Sequence, residues 1–587
     1  MRYLPSRSAL YELAEKARLA PEIPKCLPTA RWSPARLLEA RAAAMPDQPA
    51  LLFQDRRYTF RAVDEQANRW ARWLERQGVA AGRSVALVFD NRPEMLFAQL
   101  GLSKLGAVAA LINTNLKDTP LAHAITATSP VLVVVGQEHE RAVADVHEAI
   151  GRVRVAAVSD GPASAALFPI IDAEVAACLG ARPTGLPRPR AGDATSFIFT
   201  SGTTGLPKAA RITNQRYVGA SAMFGRVMHD LSPGDVLYVV LPLYHSNAQW
   251  MGWGSCLLTG ATMALRRKFS ASAFFDDVRR YRATHFLYIG EICRYLLHTA
   301  PRPDDKSHTL RIGVGNGLRA DVWRAFQDRF GVARMREFYG ATEGNALIMN
   351  VEGRPGMIGR LAPGHRVLAC DPMTGDPLRT PDGLCRDVAA GETGLFVAWI
   401  NPLTRFDGYL DEKATAKKVV KDVGRHGDAY FNSGDLLTVH DDGWVAFADR
   451  VGDTFRWKGE NVSTTEVAEV LATTDGVLEA NVYGVTVPNT EGRAGMASLR
   501  VDERFDLDGL ARDVMSRLPA YQRPYFLRLS REMDVTGTFK HRKVDARDEG
   551  YDPARCGEPL YFLEEGKYVA IDAGFYARIA TGKVTIR

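Results

Sequence analysis

The stretch SFIFTSGTTGLPKAA, residues Ser196–Ala210, carries the strongest structural signal in the chain. An apolar run typical of a strand leads into a loop of Gly, Ser and Thr that ends at Lys208. Small residues allow successive backbone N–H groups and hydroxyls to surround phosphate oxygens, and a lysine neutralises their charge. Pro207 precedes the lysine and no Ser or Thr follows it, so this is not a Walker loop and no helix is expected to begin there.

The length of this match decides between two interpretations of the loop. A flexible surface turn would explain a shorter match, whereas nine consecutive residues, TSGTTGLPK, favour a phosphate-binding loop. We therefore predict that phosphate is held by Thr200, Ser201, Gly202, Thr203, Thr204, Gly205 and Lys208.

Helices and strands alternate in the sequence before this loop. One helix is predicted over Thr59–Gly78, and its apolar face would hold Val63, Ala67, Trp70 and Leu74. Continuous apolar runs between such helices indicate a parallel sheet that is covered on both faces. The predicted strands are Ser84–Phe89, Val108–Ile112 and Val131–Val135, and a Pro/Arg-rich loop is predicted over Ala181–Asp193.

No segment of the sequence predicts a signal peptide or a membrane span. The N-terminal residues carry charges every few positions and lack an apolar core. The longest apolar run, Met95–Ile112, contains Gln99 and Lys104 and is interrupted by glycines, which predicts a buried helix followed by a strand. We expect a cytoplasmic protein and leave open peripheral contact with the inner face of the cell membrane.

Composition narrows the class of protein. A chain of 587 residues exceeds what one hydrophobic core usually serves, so two or more domains are expected. The formal net charge is +6, and the Lys and Arg residues are scattered, which argues against a nucleic-acid partner. The seven cysteines form no CxxC pair, which argues against a disulfide framework and against a Cys-rich zinc site.

The composition changes late in the chain. After DDGWVAFADR (Asp441–Arg450) the sequence predicts a new helix at Thr465–Ala472 and a strand at Ala480–Val487. We place the domain boundary there, with residues 1–449 as an N-terminal domain and residues 450–587 as a C-terminal α+β domain.

Further motifs follow the loop in a fixed order and together resemble a known superfamily. They are PLYHSN (Pro242–Asn247), FYGATEGN (Phe338–Asn345), FNSGD (Phe431–Asp435), DRVGDTFRWKGENVST (Asp449–Thr464) and TGTFKHRKV (Thr536–Val544). With the Thr200–Lys208 loop, this set resembles the adenylate-forming superfamily of acyl-CoA synthetases, adenylation domains and luciferases. The segments NTNLK (Asn113–Lys117), YIGEICRYLL (Tyr288–Leu297) and GNGLR (Gly315–Arg319) are similar to those of the fatty acid transport protein and very-long-chain acyl-CoA synthetase branch, as a bacterial member.

The resemblance implies a fold and an activity. The fold would be α/β, with a large N-terminal domain of mixed sheets in α/β layers and a small mobile C-terminal α+β domain. The activity would be that of a long- or very-long-chain fatty acid–CoA ligase, which forms an acyl-adenylate from fatty acid and ATP and then a thioester with coenzyme A. Mg²⁺ would accompany the ATP.

Residues of the nucleotide site carry over from the resemblance onto matching positions. Tyr339, beside Gly340, would stack on adenine, and Thr342 would contact the α-phosphate. Glu343 would bind Mg²⁺ together with Thr203, because a carboxylate beside a triphosphate is otherwise repulsive. Further nucleotide or CoA contacts are implied for Gly315, Asn316, Gly317, Asp435, Arg450, Lys458 and Gly459. Asp435, an acceptor-only group, suits the two ribose hydroxyls.

Lys540 is the strongest catalytic candidate. A lysine that bridges the carboxylate and α-phosphate oxygens would stabilise the charge that spreads in the transition state. Relatives mostly carry TGK, whereas TGTFK here interposes Thr538 and Phe539, so Lys543 stays open as an alternative. Gly452 stands where relatives carry Asp or Lys as a pivot, and a glycine can serve as that hinge.

The acyl site is less clear from the residues. The family uses a histidine at His245 near the reacting carboxylate, although a lone histidine among apolar residues is more often part of a core. Trp250 could gate an acyl tunnel, but core packing explains it better. The tunnel is expected beside the predicted helix Tyr288–Leu297 and the GNGLR segment, near Tyr288, Ile292, Leu296 and Trp253.

Three alternatives remain at this level. An adenylation domain or a fatty acyl-AMP ligase would pass the adenylate to a carrier protein, and a fatty-acid uptake or binding protein would not need catalysis. Lys208, Glu343, Asp435 and Lys540 together favour a catalyst. The sequence leaves open the acyl chain length, the oligomeric state and contact with a membrane.

Overall fold

The phosphate loop predicted from the sequence joins two antiparallel strands of a mostly parallel sheet. The computed structural model describes residues 14–15, 17–161, 166–200, 206–371, 373–402, 404–488, 490, 492–533 and 543–584. They belong to two compact units, an N-terminal unit of Met1–Arg360 with Trp399–Val419 and a C-terminal unit of Leu361–Ala398 with Val420–Arg587.

The N-terminal unit contains two large sheets. Its strands are β1 Pro49–Phe53, β2 Arg56–Thr59, β3 Ser84–Val88, β4 Val108–Leu111, β5 Leu132–Gly136, β6 Val155–Val158, β7 Ala194–Thr200, β8 Lys208–Thr213, β9 Val236–Val239, β10 Thr262–Leu265, β11 His285–Ile289, β12 Ile312–Asn316, β13 Arg334–Gly340, β14 Leu347–Asn350 and β15 Gly359–Arg360. The sheet orders are β6-β5-β3-β4-β7-β8 and β14-β13-β12-β11-β9-β10-β1-β2. Only β8, β14 and β2 pair antiparallel in these two orders, so the prediction of a parallel sheet is confirmed.

The helices of this unit cover the sheets. They are α1 Ile23–Cys26, α2 Pro34–Ala44, α3 Phe60–Arg76, α4 Pro93–Leu105, α5 Asp118–Thr126, α6 Glu140–Asp145, α7 Asp172–Ala176, α8 Asn214–Ala222, α9 Ser255–Thr259, α10 Phe274–Tyr281, α11 Gly290–Leu297, α12 Ala320–Phe330 and α13 Glu412–Ala416. Met223–Met228 and Asn247–Gly254 are π-helical, and Ala20–Glu22 and Gln137–His139 are 3₁₀-helical.

Helix α3 shows why the sequence folds as predicted. The Thr59 hydroxyl accepts from the backbone N–H of Ala62 at 3.2 Å and caps the helix. The four residues of the predicted apolar face, Val63, Ala67, Trp70 and Leu74, are all buried. The apolar run that follows forms α4 and then β4, and α4 ends at Gly106 with φ of 66°. The predicted helix, the buried helix and strand, and the 181–193 loop are confirmed.

One predicted helix has the wrong beginning. Tyr288 lies in strand β11, and the helix begins only at Gly290. The run FLYIG (residues 286–290) is apolar up to Glu291, so no polar residue marks the change from strand to helix between Ile289 and Gly290.

The C-terminal unit contains two sheets and a short hairpin. Its strands are β16 His365–Leu368, β17 Thr393–Trp399, β18 Val419–Lys421, β19 Ala429–Val439, β20 Trp444–Arg450, β21 Phe455–Trp457, β22 Glu460–Val462, β23 Val477–Val485, β24 Ala494–Val501, β25 Phe526–Leu529, β26 Leu560–Glu564 and β27 Lys567–Ala570. The sheet orders are β20-β19-β17-β16, with β18 beside β19, and β23-β24-β25-β26-β27. Its helices are α14 Thr464–Leu471, α15 Leu507–Arg517, α16 Val544–Glu549, α17 Ala573–Ala580 and the 3₁₀ turn Ala520–Gln522.

The later sheet has its own core. Phe526 stacks on Tyr551 with ring centroids 4.0 Å apart, and Trp457 and Tyr483 are fully buried beside them. The predicted helix at Thr465–Ala472 and strand at Ala480–Val487 correspond to α14 and β23. The functional boundary between residues 449 and 450 falls inside this unit and stays a prediction.

Candidate active site

The two ends of the predicted phosphate loop are held side by side. Thr200 at the end of β7 is paired with Lys208 at the start of β8. The hairpin therefore fixes where the loop leaves and rejoins the sheet. The loop residues Ser201, Gly202, Thr203, Thr204 and Gly205 lie outside the described residues.

Tyr409 connects this hairpin to Glu343. The Lys208 Nζ lies 6.0 Å from the centroid of the Tyr409 ring. Backbone pairing of Ala210 with Tyr409, and donation from the Leu410 N–H to the Ala209 carbonyl at 3.0 Å, fix the tyrosine beside β8. Burial, and then the charge of the nearby Glu343 carboxylate, raise the pKa of Tyr409. The phenol is therefore neutral and can donate to that carboxylate.

The adenine and metal candidates sit in a second hairpin. Tyr339 pairs with Ile348 and Gly340 pairs with Leu347, so residues 341–346 form the loop between β13 and β14. The Arg216 guanidinium on α8 donates to the Glu343 carbonyl at 3.1 Å and to the Ala341 carbonyl at 2.8 Å. Arg216 thus braces the backbone that carries Thr342 and Glu343.

The PLYHSN segment contacts the same loop. The Ser246 and Thr342 hydroxyl oxygens lie 3.2 Å apart, and the Asn247 amide donates to the Asn316 side-chain oxygen at 3.1 Å. The half-buried His245 ring lies 4.7 Å, between centroids, from Tyr244. The structure therefore brings together PLYHSN, FYGATEGN and GNGLR, which lie far apart in sequence.

The residues of the predicted acyl tunnel are buried. Trp253, Ile292 and Leu296 have no solvent-exposed surface. Trp250 is buried with its ring in edge contact with Tyr217, which agrees with core packing. The tunnel stays a prediction.

Asp435 and Arg450, the two ribose candidates, are neighbours across strands β19 and β20. They occupy paired positions, and the Arg450 Nε lies 3.3 Å from an Asp435 carboxylate oxygen. The Asp435 side chain is 12% exposed and that of Arg450 is 50% exposed. A partly covered carboxylate with an accessible arginine beside it can accept from and donate to hydroxyls at the same place.

The Asp449 carboxylate connects two segments on either side of Gly452. It accepts from the Thr464 N–H at 2.7 Å at the start of α14 and from the Thr454 hydroxyl at 3.2 Å. Gly452 is exposed, has φ of 86°, and has open space around it. Only glycine adopts that backbone conformation readily.

Lys458 and Gly459 form the turn between β21 and β22. Their φ angles are 50° and 86°, as in a type I′ hairpin turn, and both residues are exposed. Glu460 begins β22.

Of the two candidate lysines, Lys543 is among the described residues. The Lys543 Nζ donates to the Thr464 hydroxyl at 2.7 Å and lies 3.1 Å from an Asp453 carboxylate oxygen. It is thus engaged within the C-terminal unit. Lys540 lies outside the described residues.

The residues around Glu343 fit a hard cation. Glu343 offers carboxylate oxygens and Thr342 offers a hydroxyl, and Mg²⁺ accepts both ligand types beside phosphates. Arg216 donates to the backbone of the hairpin loop that carries them. Elsewhere in the described part of the chain, Asp90, Glu138 and His139 cluster. The cations Arg92 and Lys268, at 3.0 Å from Glu138 and 3.3 Å from Asp90, already neutralise that cluster.

Sequence inspection missed three residues of this site. Tyr409 and Arg216 approach Glu343 from segments that belong to none of the recognised motifs, and Ser246 was overlooked beside His245. A single arginine on a helix and a single tyrosine in GYL carry no sequence signal by themselves. Their proximity to Thr342 and Glu343 becomes visible only in the fold, because the contacting residues are 60 or more positions apart in the sequence.

Comparison with known proteins gives the family. Residues 38–394 match the family model described as AMP-binding enzyme. The chain is 40% identical over 568 residues to long-chain fatty acid transport protein 1 of Mus musculus, with 94% of this chain and 88% of that protein covered. The chain belongs to the AMP-binding enzyme family. Its AMP-binding relatives include the medium/long-chain-fatty-acid–CoA ligase FadD6 of Mycobacterium tuberculosis, 41% identical over 563 residues that cover 95% of this chain and 92% of that protein.

A solved structure shows the same fold. The anthranilate CoA ligase AuaEII, in complex with anthranoyl-AMP, matches with a TM-score of 0.76 at 22% identity and covers 88% of this chain and 97% of that chain. The predicted family and the predicted fold class are confirmed. Within the described part of the chain, none of the helices combines the length and apolar character that crossing a bilayer demands.

Proposed function

We propose that this AMP-binding protein is an AMP-forming ligase of long- or very-long-chain fatty acids and coenzyme A. The observation that supports it most is the relationship, along nearly the whole chain, to a fatty-acid–CoA ligase. The grouping of Lys208, Tyr409 and Glu343 adds support, because a lysine and a carboxylate beside one another suit a metal-bound polyphosphate.

The N-terminal unit would hold the triphosphate and the base. Lys208 and the loop from Thr200 would neutralise the β- and γ-phosphates, and Tyr339 would stack on adenine beside Gly315–Gly317. Thr342 would donate to the α-phosphate. Glu343 and Thr203 would hold Mg²⁺, which when bound screens the phosphate charge.

The C-terminal unit carries further candidates. Asp435 would accept from the ribose hydroxyls, with Arg450 beside it. Lys540 would stabilise charge as the fatty carboxylate oxygen attacks the α-phosphorus and the bond to pyrophosphate breaks. A rotation about Gly452 would then bring Lys458, Gly459 and Glu460 towards coenzyme A.

The second step needs no enzyme nucleophile. The coenzyme A sulfur attacks the acyl carbonyl carbon, the thiol proton passes to water, and the bond from that carbon to the phosphate oxygen breaks to release AMP. His245 would lie along the thiol's approach to the carbonyl. Withdrawal of Lys540 between the steps would limit hydrolysis of the adenylate.

A chain-length series tests the proposal. AMP release by the purified protein would be measured with Mg·ATP and saturated fatty acids of increasing length, with and without coenzyme A. Glu343→Gln, which keeps the size of the side chain and removes its charge, serves as the inactive control. We expect coenzyme-A-dependent turnover that peaks at one length and is lost in the variant.

Two other outcomes would change the assignment. Pyrophosphate release that leaves the adenylate untransferred to coenzyme A would indicate a carrier-protein acceptor. ATP binding without turnover of any acid would indicate a binding or uptake role. Sedimentation with anionic vesicles would separately test peripheral membrane contact, which stays a prediction.

A further inference from the structure

Glu337 is a buried carboxyl group under the GNGLR segment, two residues before Tyr339. Its side chain is 3% exposed, and its position on β13 is paired with Gly315 on β12. One carboxyl oxygen accepts from the Leu318 N–H at 3.1 Å. The other lies 3.0 Å from the Tyr288 hydroxyl oxygen. None of the recognised motifs assigns this residue a task.

The Tyr288 hydroxyl lies between two oxygen atoms, and both of them are acceptors when Glu337 is ionised. The Tyr288 hydroxyl oxygen lies 3.0 Å from the Arg336 carbonyl oxygen and 3.0 Å from Glu337. A tyrosine hydroxyl has one proton, and both a carbonyl and a carboxylate are acceptors only. Both contacts are hydrogen bonds if Glu337 is a carboxylic acid that donates to Tyr288, which donates to the carbonyl.

In the described part of the chain, no positively charged side chain is paired with Glu337. Among the described residues, no Lys, Arg or His lies within ion-pair distance of it. Arg336, its neighbour on β13, points to the opposite face, where it donates to the Val227 carbonyl at 2.6 Å and pairs with Glu15 at 3.2 Å. The titratable groups that face Glu337 are Tyr288 on β11 and Cys293 on α11, and both are neutral acids.

The turn that Glu337 holds is tightly confined. Gly317 has φ of 76°, and a Cβ on Gly290 would come within 1.8 Å of the Gly317 carbonyl oxygen. A Cβ on Gly315 would come within 2.4 Å of the Tyr288 ring. The Asn316–Leu318 turn is therefore packed between the start of α11 and Glu337. The Asn247 amide also donates a hydrogen bond to the Asn316 side chain.

We propose that Glu337 is a neutral carboxylic acid that positions the Asn316–Leu318 turn for the nucleotide base, and that its ionisation weakens ATP binding. This inference rests on the proposed ATP site. Glu337 is a positioning residue, since it touches the turn rather than the substrate.

The titration behaviour agrees with the geometry. Burial raises the pKa of Glu337 to about 8, although the Leu318 N–H, the contact with the Tyr288 hydroxyl and the Gly317 N–H oppose the rise. Burial, and then the charge of Glu337, raise the pKa values of Tyr288 and Cys293 well above their ordinary values. Glu337 is therefore the first of the three to ionise as the pH rises.

The sign of the stability effect follows. The unfolded chain releases the Glu337 proton near its ordinary pKa of 4.5, whereas the folded chain keeps it to about pH 8. Between these values the folded state binds more protons, so stability falls as the pH rises. Glu337→Gln keeps one donor and one acceptor but cannot ionise, and it should remove this part of the dependence.

The test compares wild type, Glu337→Gln and Glu337→Ala, with the exposed Glu75→Gln as the matched control. Adenylation would be followed by ATP–pyrophosphate exchange from pH 6.5 to 9.5, and Tm from pH 5 to 9. In wild type and Glu75→Gln we expect KM for ATP to rise about tenfold per pH unit above pH 8, as a single proton loss requires, with a smaller change in kcat. Glu337→Gln should show a flat KM and a Tm that falls less between pH 5 and 8.

Each outcome decides the proposal. It is overturned if Glu337→Gln keeps the alkaline rise in KM, or if its KM at pH 7 is as high as that of Glu337→Ala. If Glu337→Ala does not fold, the glutamine variant alone decides. If no acid supports exchange in wild type, the proposed ligase fails, while the Tm profiles still show whether Glu337 is neutral in the folded protein.

Discussion

The candidate residues of the N-terminal unit and those of the C-terminal unit are held in different ways. In the N-terminal unit, Arg216 donates a hydrogen bond to the backbone of the loop that carries Glu343, and Asn247 and Glu337 are hydrogen-bonded to the Asn316–Leu318 turn. In the C-terminal unit, Arg450 is half exposed, and both residues of the Lys458–Gly459 turn are exposed. Buried hydrogen bonds fix geometry, whereas exposed side chains and left-handed glycines allow it to change.

This difference suits a reaction in two steps. On the proposed mechanism the nucleotide stays in place through both steps, so the loops that would hold it benefit from rigidity. The groups that serve only one step must move between the two steps. Variants of Arg216 should therefore weaken ATP binding and stability, whereas variants of Lys540 and Gly452 should slow one half-reaction.

The largest effect is expected at Lys540. Replacing it with alanine should slow adenylation by roughly 10²- to 10³-fold, as for loss of one group that stabilises transition-state charge. Thioester formation from supplied acyl-adenylate should continue near the wild-type rate. Single-turnover assays of each half-reaction measure both.

Lys543→Ala is the matched comparison for that lysine. Because Lys543 is bonded to Thr464 and Asp453, its loss should lower Tm and leave adenylation near wild type. A Lys543 variant that abolishes adenylation, beside an active Lys540 variant, would reverse the assignment.

The next effect concerns Gly452. Proline fixes φ near −65°, whereas Gly452 has φ of 86°, so Gly452→Pro should slow thioester formation by on the order of a hundredfold, about 3 kcal/mol, and adenylation less. Gly443→Pro, at another exposed glycine with φ of 76°, controls for strain in the same sheet. Equal losses in both half-reactions would argue against a hinge at Gly452.

Arg216→Ala tests the brace in the N-terminal unit. Removing hydrogen bonds from a charged donor costs about 1.5–3 kcal/mol, so kcat/KM for ATP should fall roughly tenfold to a hundredfold, and Tm should fall as well. Arg211→Ala, on the exposed face of β8, should change neither quantity much. An Arg216 variant with normal ATP kinetics would show that the loop holds its shape without the brace.

The smallest effect is expected at Tyr409. Tyr409→Phe removes only the hydroxyl near Glu343, so adenylation should slow by about threefold to tenfold. The ring beside Lys208 is kept, and Tyr409→Ala, which removes it, should cost more. A phenylalanine variant as inactive as Glu343→Gln would place the hydroxyl among the catalytic groups.

The sequence predicted the local features of the fold well. The 3.6-residue spacing of Val63, Ala67, Trp70 and Leu74 places them on one face of any helix, and that face is buried. The strand order could not be obtained in this way, because each parallel pairing joins segments that share no local pattern. At Tyr288 even the element was wrong, since an apolar run fits a buried strand and a buried helix equally.

The site was predictable only where motifs exist. Asp435 and Arg450 were assigned from separate motifs, and the pairing of β19 with β20 places them side by side. The supporting residues Arg216, Tyr409 and Glu337 were missed, because an isolated side chain shows its partners only once the chain is folded. Sequence motifs thus point to candidate substrate contacts sooner than to the residues that support them.

The Asp449 carboxylate has a consequence for the speed of the reaction. Its hydrogen bonds to Thr464 and Thr454 lie across Gly452 in the chain, so a rotation at that glycine must strain or break them. A hydrogen bond to a charged group is worth about 1.5–3 kcal/mol, and a buried carboxylate left without partners costs more. On the proposed mechanism, these bonds act as a latch that each catalytic cycle opens and closes, and their strength limits turnover whatever fatty acid is bound.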